Sequence, residues 1–444
     1  MIKLILPLMT LSLMFHFCAA QDYQLSLTVA KGWKLNCNEQ AEIEVQLYSG
    51  TQERRSFKVS ETLTGRKVRA VLTVDGIRKS EQILVTGKDS TIRCSLPHPG
   101  WINWKFTLLD DSGKEFEYST KAGQKKKVTA SIGFLVEPEK LLPGMEKPKD
   151  FDSFWAEQRR ILDQVPLNAK VTSVEPQPQQ KGKFLCYDVQ VDCAGGKPVS
   201  GYLCVPVNAK EKSLAAVVSF HGAGVRSAHK STAQLPALYF DINAHGIPNG
   251  MPSNYYKDLS DKELYAYWYR GSEDRESYYF RGMFFRVMRA LDYIKSRPEW
   301  NGKVLIVKGM SMGGAQALAA AGLDPQVTLC MVSVPALMDH GASLAKIPRK
   351  PGWPGLFDVR TGKPNPGRMK TAPYYDNLFF ADRIKAEVFL SAGLDDFVCC
   401  PTSIYTLYNR LGPKKALLEI YPSGNHFDSY STLGESRYRE LLKQ

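Results

Sequence analysis

Gly309-Met310-Ser311-Met312-Gly313-Gly314 follows the apolar run Val304-Leu305-Ile306-Val307 and leads into Ala315-Gln316-Ala317-Leu318-Ala319-Ala320-Ala321. A strand buried on both faces reads as a continuous apolar run, and an alanine-rich stretch reads as a helix. The serine therefore sits at a sharp strand-to-helix turn, the context in which G-x-S-x-G forms a nucleophile elbow. Such a turn pushes the serine hydroxyl clear of the sheet and crowds the positions two before and two after it. Gly309 and Gly313 occupy those positions. Taken without its context the pattern is weak; between a strand and a helix it is specific.

Outward from the elbow, strands alternate with helices. Phe184 to Val191, Ser200 to Val205, Leu214 to Phe220, Val327 to Val334, Val388 to Ala392 and Leu417 to Tyr421 read as strands. Asp150 to Val165 and Phe284 to Ile294 carry helical spacing. The expectation is an α/β domain over residues 138–444, with the mostly parallel, doubly wound sheet of the α/β-hydrolase fold.

A serine hydroxyl needs a base within hydrogen-bond reach, and this fold supplies the triad in the order Ser, acid, His. After Ser311 the histidines are His340 and His426. His426 lies in Ser423-Gly424-Asn425-His426 just beyond the last strand, whereas His340 precedes every plausible acid. Asp395 and Asp396 follow the strand ending at Ala392, and periodicity does not choose between them. Charge developing on the substrate carbonyl calls for preorganised donors. The backbone N–H of Met312 is one. The other is expected from His221-Gly222-Ala223-Gly224, with Ala223 as the donor and His221 as a structural residue.

The front of the chain differs. From residue 21 to 137 apolar residues alternate with polar ones, as in Ile43, Val45, Leu47 and Ile102, Trp104, Phe106, Leu108, with turns at Asp75-Gly76 and Asp111-Ser112-Gly113. Short strands at this spacing predict a small all-β, Ig-like sandwich. Every candidate catalytic residue lies after Pro138, so this part is expected to be dispensable for chemistry. Residues 1–20, with Lys3, the run Leu4 to Phe15 and Cys18-Ala19-Ala20, read as a signal peptide cleaved after Ala20. That implies a secreted or periplasmic protein with no membrane span. Of the nine cysteines, Cys18 leaves with that segment. The rest show no metal-site spacing, and Cys37 with Cys94 is the pair to test for a disulfide. The formal charge of +13 comes without a basic stripe interleaved with aromatics, so nucleic acid is not expected. No cofactor or metal is called for.

From Lys147 onward the chain resembles the acetyl xylan esterases and cephalosporin-C deacetylases of carbohydrate esterase family seven. The resemblance rests on Lys147-Pro148-Lys149-Asp150-Phe151-Asp152-Ser153-Phe154-Trp155, on Tyr278-Tyr279-Phe280-Arg281-Gly282, on the elbow, and on Gly393-Leu394-Asp395-Asp396 ahead of Pro401. It implies Asp396 as the acid, His426 as the base, and an acetylated plant polysaccharide or oligosaccharide as substrate. Three positions depart from the family: Met312 in place of Gln, Asn243-Ala244-His245-Gly246 in place of an Arg-Gly-Gln stretch, and Ala223 where Tyr is frequent. They cluster around the expected pocket and leave the substrate open. The family's hexamer is not carried over to a chain with a front sandwich, so self-association is open. Trp353 and Tyr374, in or beside the Pro/Gly-rich stretch from Ile347 to Pro373, either bind the sugar or anchor the loop. A prolyl-oligopeptidase-like peptidase would share fold and triad order, but the front part is too short for a propeller. An intact Ser311, Asp396 and His426 set argues against a carbohydrate-binding protein with a decayed hydrolase domain.

Overall fold

The computed structural model describes residues 22–444 apart from 54, 55, 121, 359, 360 and 431; the expected signal peptide lies outside the described residues. The sheet that carries the elbow has nine strands. They are β1 (Lys170–Val174), β2 (Phe184–Val191), β3 (Val199–Pro206), β4 (Leu214–Phe220), β5 (Leu238–Ile242), β6 (Trp300–Met310), β7 (Leu329–Ser333), β8 (Glu387–Gly393) and β9 (Ala416–Tyr421). Their spatial order is β1-β2-β3-β5-β4-β6-β7-β8-β9. The first three and β5 pair antiparallel, and from β5 across to β9 every pairing is parallel. Strand β4 lies inside this parallel block, which explains why its sequence shows no alternation. Strands β1 and β5 were not expected from the sequence. The first is short and mostly exposed, and the second follows a connection without a helix, so no change of period announces it.

One face of the sheet is deeply covered. Helices Phe151–Asp163, Tyr279–Lys295, Met312–Leu323 and Pro401–Leu411 join it in a core that includes Trp155, Phe284, Leu318, Phe380 and Leu390. Burying one such side chain stabilises the fold by about 1.5–3 kcal/mol, so this layer fixes the sheet and the elbow helix together. The opposite face is thinner. Its core contains Val217, Tyr239, Ile306, Phe389 and Leu441, and its helix is Glu435–Leu441. Among the described residues, no helix is long and apolar enough to cross a membrane.

The front residues form two main facing sheets. Asp22–Val29, Ala41–Gln52, Phe57–Leu63 and Thr91–Cys94 make one; Lys34–Leu35, Thr129–Val136, Gly100–Leu108, Lys67–Val74 and Ile77–Val85 make the other. Ile43, Val45, Leu47, Val68, Trp104, Phe106 and Phe134 meet between them. Asp75 and Gly76 have φ of 52° and 79°, the paired left-handed residues that a two-residue hairpin requires. Trp101 and Leu135 share a separate apolar cluster with Leu141, Leu394, Cys400 and Tyr405, which joins the sandwich to the other sheet. All the described cysteines are free. Cys37 and Cys94 are therefore not joined, and the Cys37 thiol donates to Glu137 instead. The thiols that approach each other are Cys186 and Cys204, 3.1 Å apart across β2 and β3.

Candidate active site

Ser311 has φ 55° and ψ −122°, a conformation that L-residues avoid and that persists only where the surroundings over-determine it. Those surroundings are backbone. A Cβ on Gly309 would lie 2.3 Å from the Gly313 carbonyl oxygen, and one on Gly313 would lie 2.1 Å from that of Phe220. The Ser311 N–H donates to Ser333 O at 3.0 Å, and its carbonyl accepts from Ala336 and Ala315. Strand β7 and the elbow helix thereby hold the turn from both sides.

The hydroxyl of Ser311 stands 3.0 Å from His426 Nε2, and His426 Nδ1 stands 2.8 Å from Asp396 Oδ2. The second carboxylate oxygen, Oδ1, accepts from the backbone N–H groups of Val398 and Cys399, each at 2.8 Å. Asp396 is wholly buried, while Ser311 and His426 keep 8% and 9% exposure. The carboxylate is thus shielded from water, and the hydroxyl and imidazole edge remain reachable. The two candidate acids separate clearly: Asp396 faces the imidazole, and the Asp395 carboxyl accepts from Asn103 in the front sandwich. The loops bearing Asp396 and His426 are tied directly, since Asp395 N donates to Gly424 O at 2.9 Å.

The expected oxyanion donors flank the serine. Met312 opens the elbow helix, where first-turn N–H groups have no intrahelical acceptor. Gly222 runs beside the serine, a Cβ there lying 3.7 Å from Ser311 Cβ, and Ala223 follows it. The loop is held by neutral histidines. His221 donates from Nδ1 to Gly222 O and accepts the Ala244 N–H at Nε2; burial pushes its pKa down to about 4. His245, one of the departures from the family, donates from Nε2 to Gly224 O and accepts the Tyr279 hydroxyl at Nδ1. Burial lowers it to about 3. Met312 itself accepts the Tyr267 hydroxyl at its sulfur, 3.1 Å away. The Tyr267 ring also packs edge-on against the His245 ring, centroids 4.7 Å apart, so Met312 and His245, two of the departures from the family, meet through Tyr267 behind the loop.

Of the two aromatics proposed for the sugar, Trp353 comes near the site. Its N–H donates to Val398 O and its carbonyl accepts from Leu337, while its ring packs on Trp268 and Phe280. Tyr374 is placed differently. Its hydroxyl donates to Asp150 at 2.6 Å, its carbonyl accepts from Trp155, and the Arg275 guanidinium lies over its ring. These contacts anchor the loop to the first helix of the second half. Two neighbours of the site escaped sequence reasoning. Phe427 is 74% exposed with its ring 5.3 Å from that of His426; its position directly after the histidine was the available signal. Cys399 shares a cluster with Asp396 and His426, their donor atoms lying within 4.8 Å of one another. Both Asp396 oxygens are already committed to His426 and to backbone N–H groups, so the cluster is no open cradle for an ion.

A strained serine between two close-packed glycines, at the end of a strand in the parallel part of a sheet of this order, defines an α/β-hydrolase. Residues 135–442 match the family model described as Acetyl xylan esterase (AXE1). The chain is 32% identical over 319 residues to the acetyl esterase Axe7A of Xylanibacter ruminicola, covering 70% of this chain and 69% of that one. It superposes on an acetyl xylan esterase from a Paenibacillus species with a TM-score of 0.55 and 26% identity, covering 69% of this chain and 98% of the other. The fold is shared as well with acetyl xylan esterase 1 of a Thermoanaerobacterium species, at TM-score 0.55 and 22% identity over 69% of this chain and 97% of that one. The chain belongs to the acetyl xylan esterase family and is a carboxylic ester hydrolase.

Proposed function

We propose that this esterase removes acetyl groups from acetylated plant polysaccharide, or from oligosaccharides cut from it, through Ser311, His426 and Asp396. The observation that carries the reading is the hydrogen-bonded row Asp396–His426–Ser311 ending on a strained elbow serine. His426 Nε2 takes the Ser311 proton as Oγ adds to the acetyl carbonyl carbon. Asp396 holds Nδ1 protonated and stabilises the imidazolium. The N–H groups of Met312 and Ala223 receive the negative oxygen of the tetrahedral intermediate. The intermediate collapses with cleavage of the sugar C–O–acyl bond at the acyl carbon, and His426 returns the proton to the departing sugar oxygen. Water, deprotonated by His426, then attacks the acetyl-serine ester; acetate leaves and Ser311 recovers its proton.

The exposed Phe427 ring beside His426 supports a sugar substrate, because aromatic faces offer rigid contact to the apolar faces of pyranose rings at little entropic cost. Residues 1–20 support export to where such substrates occur. The test is acetate release by the purified protein and by Ser311→Ala on acetylated xylan, acetylated xylooligosaccharides, acetylated pectin and a proline-containing peptide. Release from the xylan substrates, with kcat lowered about 10⁴–10⁶-fold in the variant, is expected. Undiminished turnover by a folded Ser311→Ala would overturn the mechanism, and cleavage confined to the peptide would overturn the substrate.

A further inference from the structure

We propose that the front sandwich is a positioning element of the esterase site, with Trp101 and Asn103 as positioning residues that hold the loop carrying Asp396. The inference rests on the reading of Asp396 as the triad acid.

Both residues lie on the sandwich strand Gly100–Leu108, and both are buried at its surface against the hydrolase part. Trp101 Nε1 donates to Leu394 O at 3.0 Å, and Asn103 Nδ2 donates to the same oxygen at 2.9 Å. Asn103 Nδ2 also reaches Asp395 Oδ1 at 3.1 Å. One carbonyl, two residues before the acid, thus has both lone pairs taken by side chains of the sandwich. On the other side of the acid, the Phe397 ring packs on the Trp101 ring with centroids 4.7 Å apart. Asp396 is therefore flanked by sandwich contacts in front and behind.

The histidine loop is held from the same sheet. Asn103 stands directly opposite Gly133 on the neighbouring strand Thr129–Val136. The Gly133 N–H donates to Pro422 O at 2.8 Å, just ahead of the turn that carries His426. A Cβ on Gly133 would lie 2.4 Å from Leu394 Cβ and 2.6 Å from Leu394 O, so the contact admits no side chain. Two adjacent residues across one pair of strands thereby fix the acid loop and the histidine loop relative to each other. Because a shift of about 1 Å at a reacting group can cost 10²-fold, rigid docking here acts on the rate. The expectation that the sandwich is dispensable for chemistry is revised on this geometry: the catalytic residues lie outside it, but their scaffold does not.

The test uses the full-length protein and p-nitrophenyl acetate, a substrate too small to reach any carbohydrate-binding surface. Trp101→Phe removes the indole donor and keeps a ring against Phe397; Asn103→Leu removes both amide hydrogen bonds while keeping the branched shape of the side chain. Combined, they are expected to lower kcat about 10- to 100-fold with KM little changed. The same pair introduced into Asp396→Asn is expected to cost nothing further, because the geometry it disturbs no longer serves the base. Trp101→Phe alone is the milder variant should the pair fold poorly, with a smaller kcat loss and the same dependence on Asp396. Full kcat in the folded variants would overturn the proposal, as would an equal loss in both backgrounds, which marks general loosening. If Asp396→Asn is itself fully active, the triad reading fails first and independently of the sandwich.

Discussion

Asp396→Asn is the substitution whose outcome the structure determines most closely. Asp396 Oδ1 accepts two backbone N–H groups, from Val398 and Cys399, and Oδ2 faces His426 Nδ1 at 2.8 Å. An asparagine has one acceptor oxygen. Turned to keep both backbone bonds, it presents its NH₂ to Nδ1, and that nitrogen must then become an acceptor. The ring proton moves to Nε2, and the atom facing Ser311 Oγ can no longer take a proton. Turned the other way, the amide sets its NH₂ against the N–H groups of Val398 and Cys399, and leaving the buried Cys399 donor unsatisfied alone costs about 1–3 kcal/mol. The first arrangement wins, and the enzyme is held in the wrong tautomer. By analogy with triads so altered, the rate at neutral pH should fall about 10⁴-fold, or about 5.4 kcal/mol of transition-state stabilisation. The assay is steady-state hydrolysis of p-nitrophenyl acetate at pH 7, with a thermal melt to show that the variant is folded. Asp395→Asn, which keeps an oxygen for the Asn103 amide, should lose less than about tenfold. A loss below tenfold for Asp396→Asn, or the reverse ranking of the two, would refute the tautomer argument.

Other outcomes follow from the same geometry. Gly313→Ala places a Cβ against the backbone of Phe220 and His221, neither of which can swing aside. It should destabilise the protein by about 3 kcal/mol in urea titration and lower kcat about 10²-fold by displacing the elbow; unchanged values would mean that the turn is looser than described. Phe427→Ala should raise KM for an acetylated xylooligosaccharide several-fold and leave p-nitrophenyl acetate turnover intact. Trp353→Ala, which removes packing on Trp268 and Phe280, should lower Tm and impair both substrates. Burial raises Asp241 to about 7 despite its bond from the His229 N–H and the nearby charges of Lys308 and Arg226. A carboxyl raised in the fold contributes fully below its unfolded value near 4, and its contribution is lost as pH rises through 7. Melts from pH 4 to 8 should therefore show the wild type losing Tm relative to Asp241→Asn, and parallel curves would count against it.

Much of this was legible in the sequence because the features are local. The elbow needs only a strand, two glycines and a helix in succession, and the His426 position follows from chain order. The choice between Asp395 and Asp396 was not local: it depends on which carboxyl the turn aims at the imidazole and which at Asn103, almost three hundred residues upstream. The resemblance pointed to Asp396 where periodicity made no choice. Tyr374 was misleading for a similar reason, since a loop aromatic reads alike whether it lines a crevice or, as here, pairs with Asp150 and Arg275. The role inferred for the front sandwich was invisible in sequence, because a Trp and an Asn on a strand do not announce that their donors serve a distant carbonyl.

The contacts of Trp101 and Asn103 with Leu394 span 293 and 291 positions of chain, and this has a consequence for biosynthesis. Domains fold largely in the order in which they are made, and the hairpins of the sandwich close over short distances. The sandwich can therefore be complete while strands β8 and β9 have yet to be translated. Its docking face must wait for the acid loop, and that loop, once made, meets a rigid template rather than a partner still seeking its own shape. Ester hydrolysis should consequently appear only at the end of synthesis, so that a nascent or stalled chain is inert.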